Sequence, residues 1–176
     1  MFRKLLNSEL PRLTPQDFKV AEKVPLVLVL DNVRSQHNIG AAFRTADAFR
    51  VAKIYLCGIC AVPPSAEIHK AALGAEDTVD WHYEQDTLAL VQALKQEGYT
   101  LVAVEQAENS VQLHHFTPER DKKYALIFGN EVKGVQQQVV NTCDLAVEIP
   151  QWGTKHSLNV SVSIGVVLWD IVGKLR

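Results

Sequence analysis

Short apolar runs recur along this 176-residue chain, and segments of helical periodicity separate them. The first run, Leu26–Leu30, is continuously apolar, which is typical of a parallel strand covered on both faces. The spacing then predicts a helix over Asn38–Phe49. Further strands are predicted at Lys53–Gly58, Thr78–Tyr83, Thr100–Glu105, Tyr124–Gly129 and Leu145–Ile149, and further helices at Thr87–Glu97, Val135–Cys143 and Ser157–Leu175. This alternation predicts an α/β sandwich with a mostly parallel sheet.

Length and composition predict one folded domain behind a basic preamble. A chain of 176 residues with 47% hydrophobic residues suits a single substantial core. Residues 1–24 are polar and rich in basic side chains, so we expect an N-terminal basic extension with one short helix, followed by a domain over residues 25–176. No apolar run reaches membrane-spanning length, and three cysteines do not suggest a disulfide framework. We therefore expect a cytoplasmic protein that does not bind a membrane.

The charge balance leaves the question of nucleic-acid binding open. A formal net charge of −2 is not the footprint of a dedicated nucleic-acid binder. Basic residues are nevertheless frequent before residue 54, and a local basic face can bind phosphates on an acidic protein. An ordinary solvated surface is equally compatible with these counts.

A polar segment, Asn38-x-Gly40-x-x-x-Arg44, opens the first predicted helix. Asn38 is a suitable N-cap, and Gly40 allows another backbone to approach closely. Arg44 follows Asn38 by nearly two helical turns, so we expect both side chains to project to a similar side. An arginine there can clamp a phosphate or orient a hydroxyl. Taken alone, the segment is better explained by an N-capped helix with a surface arginine.

Gly129-Asn130-Glu131-x-x-Gly134 directly follows a predicted buried strand. Two glycines around a polar pair allow loop backbone to wrap a small ligand, while Glu131 offers an acceptor and Asn130 both donates and accepts. A tight turn with Glu131 beside the positive end of a helix is also a reasonable interpretation.

The third segment joins the last predicted strand to the last helix. Ile149-Pro150 ends the strand, and Ser157-Leu158-Asn159 opens the helix, with Ser157 as its predicted N-cap. The free N–H groups of a helix start can hold a carboxylate or the polar edge of a ligand. Simple helix capping explains the segment as well.

Together and in this order, the three segments resemble motifs one, two and three of the SpoU/TrmH family of RNA 2′-O-ribose methyltransferases, in the SPOUT superfamily. The resemblance extends from about Leu26 to the C-terminus. It implies a SPOUT-type three-layer sandwich whose C-terminal segment forms a deep trefoil knot. It also implies a homodimer that binds S-adenosylmethionine in the knot and an RNA, either tRNA or rRNA, as methyl acceptor.

The resemblance also implies roles for individual residues. Arg44 matches the arginine thought to activate the ribose 2′-hydroxyl. The catalytic residues implied are Arg44, Asn38, Glu131, Ser157 and Asn159. The donor-binding residues implied are Val104, Glu105, Phe128, Gly129, Asn130, Gly134, Ile149, Pro150 and Leu158. The RNA-binding residues implied are Arg34, Arg44 and Lys70. Glu105 is unusual, because it would place a carboxylate close to the adenosine of the donor.

Other classes of protein fit the sequence less well. A catalytically silent RNA-binding module of the same fold would be expected to lack Arg44, Glu131 or Asn159, and all are present. A Rossmann-type enzyme would carry Gly-x-Gly-x-x-Gly after the first strand, where the chain has Asp31 and Asn32 instead. The small size and few appendages slightly favour tRNA over rRNA as the substrate.

Cysteine and tryptophan residues raise separate questions. Cys57 and Cys60 form a C-x-x-C pair, but at a strand end and without paired further ligands, which favours buried, inert thiols and no metal site. Trp152 lies in the third segment, where either lining the donor pocket or stacking on a base would explain an indole.

Overall fold

The computed structural model describes residues 2–176, so Met1 of the predicted extension lies outside the described residues. Seven strands form one sheet, and every neighbouring pair within the described residues is parallel. The strands are β1 (Val24–Asp31), β2 (Val51–Cys57), β3 (Trp81–Glu84), β4 (Tyr99–Val104), β5 (Val111–Gln112), β6 (Lys123–Phe128) and β7 (Leu145–Glu148). Their order in the sheet is β3-β2-β1-β6-β4-β7-β5. The predicted parallel α/β architecture is confirmed.

Helices connect the strands on both faces of the sheet. They are α1 (Pro15–Val20), α2 (Gln36–Phe49), α3 (Ala66–Ala72), α4 (Ala75–Thr78), α5 (Thr87–Gln96), α6 (Gln137–Thr142) and α7 (Val160–Leu175), with 3₁₀ turns at Asn7–Glu9 and Leu113–His115. In the described part of the chain, no helix combines the length and the apolar character that crossing a membrane requires.

Side-chain alternation along β1 divides the core into two layers. Leu26, Leu28 and Leu30 pack into the larger core, with residues of α2 and α7. Val27 and Val29 point to the other face and pack with residues of α5 and α6. Because successive side chains of a strand leave opposite faces, one continuous apolar run fills both cores. The result is the three-layer sandwich that was predicted.

The predicted start of the strand at Thr78 is wrong. Thr78 does not start a strand but ends α4, where its Oγ1 donates to Asp47 Oδ2 (2.7 Å) and lies 3.1 Å from a second acceptor, Ala75 O. The following strand, β3, therefore begins at Trp81. The two-residue strand β5 was not predicted, since an element of that length carries no periodicity.

The N-terminal segment contains the single short α-helix that was expected. Thr14 caps α1 by accepting a hydrogen bond from Asp17 N (3.1 Å), and Pro15 occupies its first turn. Phe18 of α1 is buried in the larger core. The segment before β1 is thus packed against the domain through one aromatic anchor.

Strand order places four strand ends at the same edge of the sheet. β1, β6, β4 and β7 are neighbours in that order, and all run in the same direction. The loops that follow β6 and β7 hold the second and third sequence segments, and α2, the helix that follows β1, holds the first. In open parallel sheets, ligands bind at this carboxyl edge.

Candidate active site

A cleft of about 520 Å³ opens at the carboxyl edge of the sheet, where β4, β6 and β7 end. All but one of the residues expected to bind the methyl donor line this cleft. They are Val104, Glu105, Phe128, Gly129, Asn130, Gly134, Ile149 and Leu158. The exception is Pro150, which lines a neighbouring depression of about 380 Å³. Segments that are far apart in sequence therefore meet at one concave site.

The loop after β6 is closed by a short antiparallel bridge. Asn130 N donates to Gly134 O (3.0 Å), and Gly134 N donates to Asn130 O (2.9 Å). The Asn130 side chain fixes the turn further, since its Oδ1 accepts from Val132 N (2.9 Å) and its Nδ2 donates to Asn32 O (2.7 Å). A Cβ on Gly129 would lie 2.0 Å from the Gly134 carbonyl carbon, so only glycine fits there. Asn130 thus shapes the loop that lines the cleft.

Glu105 holds the far end of the same loop. Its Oε2 accepts a hydrogen bond from Val135 N (2.9 Å), and its Oε1 accepts from Gln106 N (2.9 Å). Gly134 has φ +67, and a Cβ there would lie 2.1 Å from Glu105 Oε2. The carboxylate that seemed out of place beside the donor is therefore engaged by the backbone of the protein.

Glu131 joins the second segment to the start of α2. Its carboxylate accepts hydrogen bonds from Arg34 N (3.0 Å), Ser35 N (3.0 Å) and Asn38 Nδ2 (3.1 Å). Partial burial alone raises the pKa of Glu131, but these backbone and side-chain hydrogen bonds outweigh it and lower the pKa. The group is an anion at neutral pH and acts as an acceptor.

Asn38 and Asn159 link the first and third segments. Asn159 Nδ2 donates to Asn38 Oδ1 (3.2 Å), while Asn38 Nδ2 donates to Glu131. Asn38 is 6% exposed, so its amide is committed to this network. The structure thereby joins one residue from each of the three segments at the rim of the cleft.

Both predicted helix caps are wrong. Ser35, not Asn38, caps α2 by accepting a hydrogen bond from Asn38 N (3.3 Å). Asn159, not Ser157, caps α7, since Asn159 Oδ1 accepts from Ser161 N (2.9 Å). Ser157 is an exposed residue of the loop and lines the cleft. The predictions failed because each segment contains several small polar residues that can act as a cap.

Arg44 does not project to the same side as Asn38. Six residues turn an α-helix by about 600°, which leaves the two side chains about 120° apart around the axis. Asn38 is buried and Arg44 is exposed, as this geometry requires. Arg44 does not line the cleft of its own chain, and no ion pair within residues 2–176 engages it.

The other basic residues expected to contact RNA have different environments. Arg34 is exposed and adjoins the cleft, since its backbone N–H binds Glu131. Lys70 is exposed on α3 and donates to Glu67 Oε1 (2.7 Å). The charge of Lys70 is thus partly neutralised within the chain.

Asp31 is a site residue that the sequence reasoning missed. It is fully buried at the end of β1. Its Oδ1 accepts from Thr87 Oγ1 (2.7 Å) and Gln136 Nε2 (2.7 Å), and its Oδ2 accepts from Gln136 N (2.8 Å). The buried carboxylate is satisfied by hydrogen bonds and ties the end of the second loop to α5. An acidic residue closing an apolar strand is the one sequence signal for it.

The two cysteines of the C-x-x-C pair are buried and form no disulfide. Burial raises the pKa of the Cys57 thiol to about 12 and that of Cys60 to about 11, so both stay protonated at neutral pH. Cys60 Sγ donates to Leu30 O (3.3 Å). The described residues contain no group of three or more His, Cys, Asp or Glu side chains placed to hold a metal ion.

Comparison with known proteins agrees with this geometry. The family model that matches the chain is the SpoU rRNA Methylase family, over residues 25–169. The 23S rRNA (guanosine-2'-O-)-methyltransferase RlmB of Nitrosomonas europaea is 39% identical over 145 residues, which are 82% of this chain and 55% of that protein. Overall, the chain spans 55% to 62% of the length of the first curated relatives that it matches.

Solved structures share the fold. The A. aeolicus TrmH/SpoU tRNA modifying enzyme has a TM-score of 0.78 and 27% identity, covering 89% of this chain and 78% of that one. An AdoMet-bound rRNA methyltransferase from Sinorhizobium meliloti has a TM-score of 0.77 and 27% identity, covering 85% and 56%. The family model spans most of the chain, and the three motif segments meet at one cleft. The chain therefore belongs to the SpoU rRNA methylase family.

Proposed function

We propose that this protein is an S-adenosylmethionine-dependent RNA methyltransferase that modifies a ribose 2′-hydroxyl. One observation carries the proposal: the donor-binding positions other than Pro150 line a single cleft, and Asn38, Glu131 and Asn159 are hydrogen-bonded together at its rim. Curated relatives are named as guanosine-2'-O-methyltransferases, and one similar structure is that of an AdoMet-bound rRNA methyltransferase.

The cleft suits the proposed donor in size and chemistry. Its volume of about 520 Å³ is typical of small-molecule sites. Val104, Phe128 and Leu158 provide apolar wall for an adenine ring, and the carboxylates of Glu105 and Glu131 suit a ligand with a cationic sulfonium. When bound, the donor supplies an electrophilic methyl group. The chain supplies position and electrostatics.

A ribose hydroxyl is a poor nucleophile and must be held in line with the methyl group. Arginine is a poor general base at its usual pKa, so in this proposal Arg44 polarises the hydroxyl and an RNA phosphate takes the proton. Asn38, Glu131 and Asn159 position the loops around the reacting groups, and Ser157 lies on the cleft wall beside them. Because Arg44 lies outside its own chain's cleft, the proposal places it at the cleft of a second copy.

A homodimer formed through α7 fits this arrangement. α7 leaves Val162, Val166 and Trp169 exposed along one side, and Trp169 is 75% exposed although its ring meets Phe49 edge-on. Positions at this spacing lie on one helical stripe, which a second copy would cover. The trefoil knot is likewise inferred from the family, and the hydrogen bonds of His156 to Gln106, just after β4, and of Asn159 to Asn38 of α2 support it.

The proposed substrate class is rRNA. The curated relatives are named as 23S rRNA guanosine-2'-O-methyltransferases, so they give no support to the slight preference for tRNA drawn from chain size. A cytoplasmic location stays a prediction. The catalytically silent module is not favoured, since each implied catalytic side chain is present and most of them are joined in one network.

Methyl transfer from labelled S-adenosylmethionine tests the function directly. Total rRNA and total tRNA, each from cells lacking the protein, are offered separately and then digested to nucleosides. We expect labelled 2′-O-methylguanosine from the rRNA pool. Label in tRNA alone would overturn the substrate class, and label on a base would overturn the acceptor. Donor binding by calorimetry without any transfer would favour the silent module.

A further inference from the structure

Trp152 exposes a large aromatic surface beside the cleft. Its side chain is 91% exposed, on the loop that joins β7 to α7. An exposed indole beside a concave site offers a flat apolar face to a ligand that enters the site. Trp152 is not part of the cleft wall, which removes one of the two interpretations of its position in the sequence.

The depression beneath Trp152 is continuous with the cleft. Trp152 lines the depression of about 380 Å³, and Gln106, Ile149 and His156 line both that depression and the cleft. A ligand group resting on the indole would therefore lie next to the cleft.

The loop that carries Trp152 is anchored at its far end. Gln106 Nε2 donates to His156 O (2.8 Å), and Asn159 caps α7 while bonded to Asn38. Within residues 2–176, no hydrogen bond of the structure engages the indole N–H. Only the loop backbone therefore positions the indole, and its ring is exposed to solvent.

Two lysines lie at the same rim, which also carries the carboxylate of Glu148. Lys155 lies on the loop of Trp152, and Lys133 lies on the facing loop after β6; both are exposed. Neither lysine takes part in an ion pair among the described residues, unlike Lys70. An aromatic face flanked by free cations is the arrangement that binds single-stranded nucleic acid.

We propose that Trp152 is a stacking platform for an unpaired nucleobase of the RNA substrate, at or next to the nucleotide that is methylated. This inference rests on the proposed function and narrows its substrate to a nucleotide in a loop or single strand. A base within a helix is stacked on its neighbours and cannot cover an indole, whereas a splayed base can. Lys155 and Lys133 would contact the phosphates on either side.

Fluorescence of a variant with Trp152 as its sole tryptophan reports the contact without turnover. Trp81→Phe and Trp169→Phe remove the other indoles. We expect single-stranded poly(A) to quench the remaining emission, and the poly(A)·poly(U) duplex to quench it far less. Equal quenching by both, or none by either, would overturn the proposal.

Affinity measurements separate stacking from other roles of the indole. Trp152→Ala should weaken binding of single-stranded RNA by about 5- to 100-fold, and Trp152→Phe should retain most of the affinity. The matched control is Ile59→Ala, which truncates another exposed apolar side chain outside both the cleft and the depression. Binding of S-adenosylmethionine and the molecular mass in solution should not change in Trp152→Ala.

Two results would contradict a stacking role. Weaker donor binding in Trp152→Ala would make the indole part of the donor site, and a lower mass would make it a contact between copies. Because RNA affinity and quenching need no turnover, they stand even if no methyl transfer is found. Conversely, normal methyl transfer with an unchanged KM for RNA in Trp152→Ala would show that Trp152 is not a stacking platform. The proposed methyltransferase function would not be affected by that result.

Discussion

Asn38 and Asn159, which are 121 residues apart in sequence, are joined by a hydrogen bond of 3.2 Å at the rim of the cleft. Asn38 also donates to Glu131, so one buried amide connects the first turn of α2 to the loops that follow β6 and β7. Each loop could form its local turn alone, but their mutual position depends on this amide. The first prediction tests that dependence.

Asn38→Ala should remove both links, leaving Glu131 with its two backbone donors, Arg34 N and Ser35 N, and Asn159 Nδ2 without its protein acceptor. We expect a loss of about 1–3 kcal/mol in the free energy of unfolding, because two hydrogen bonds of about 0.5–1.5 kcal/mol each are lost. Methyl transfer should fall by about 100-fold, because misplacement of reacting groups is costly. Denaturant unfolding and transfer assays measure the two effects. His37→Ala, at the exposed neighbouring position, is the control; an equal loss there would refute the specific role of Asn38.

Gly134→Ala should disrupt the loop after β6. A side chain at φ +67 is strained by about 1–3 kcal/mol, and its Cβ would lie 2.1 Å from Glu105 Oε2. We expect loss of donor binding by calorimetry. Adding Glu105→Ala should relieve the clash, so the two changes together should cost less than their sum. Gly153→Ala, where nothing lies within 4 Å, should bind normally. Equal effects at residues 134 and 153 would contradict this account.

The contribution of Glu131 to stability should depend on pH. Its folded-state pKa is lowered, so the stabilisation is present above the pKa of the unfolded chain and is lost as pH falls through the folded pKa. The stability difference between the natural chain and Glu131→Gln should therefore be constant near neutral pH and shrink below about pH 4. Urea unfolding across this range measures it. A difference that grew in acid would reverse the assigned sign.

Arg44 should act on the cleft of a second copy. Arg44→Ala alone should abolish transfer while leaving donor binding intact, because Arg44 does not line the cleft. Co-expression with Gly134→Ala should restore part of the activity, since a mixed dimer has one site with both an intact cleft and an arginine. Separately purified and unmixed variants are the control. No recovery in a verified mixed dimer would place Arg44 at its own chain's cleft.

Trp169→Glu should break the proposed dimer. The substitution places a charge on the exposed apolar side of α7, which a second copy would otherwise cover. Sedimentation should show a monomer for Trp169→Glu and a dimer for the natural chain. Val20→Glu, on the exposed side of α1, should leave the dimer unchanged. A monomeric natural chain would contradict the prediction.

The sequence predicted more of the cleft than of the contacts around it. Strand ends are visible as apolar runs, and the family resemblance assigned Phe128 and Ile149, at two of those ends, to the donor site; both line the cleft. The acceptor role of Glu131 toward Arg34 and Ser35 was not predictable, because hydrogen bonds across more than 90 residues leave no local pattern.

Two other predictions about helices differ from the structure. The orientation of Arg44 could have been predicted from helical geometry, because six residues leave its side chain about 120° from that of Asn38 around the helix axis. The position of the α7 cap could not be predicted from local sequence, because Ser157 and Asn159 are both good capping residues. The hydrogen bond to Asn38, a distant residue, distinguishes Asn159 from Ser157.

The hydrogen bond between Glu105 and Val135 has a consequence for redesign of the cleft. Enlarging the site for a bulkier methyl-donor analogue invites truncation of Glu105, whose side chain lines the wall. That change would free the Val135 N–H, which the carboxylate now binds at 2.9 Å, and release the loop that shapes the cavity. The Glu105 side chain both limits the space in the cleft and holds the loop in place. A redesigned cleft therefore has to introduce a new acceptor for Val135 before it removes the old one.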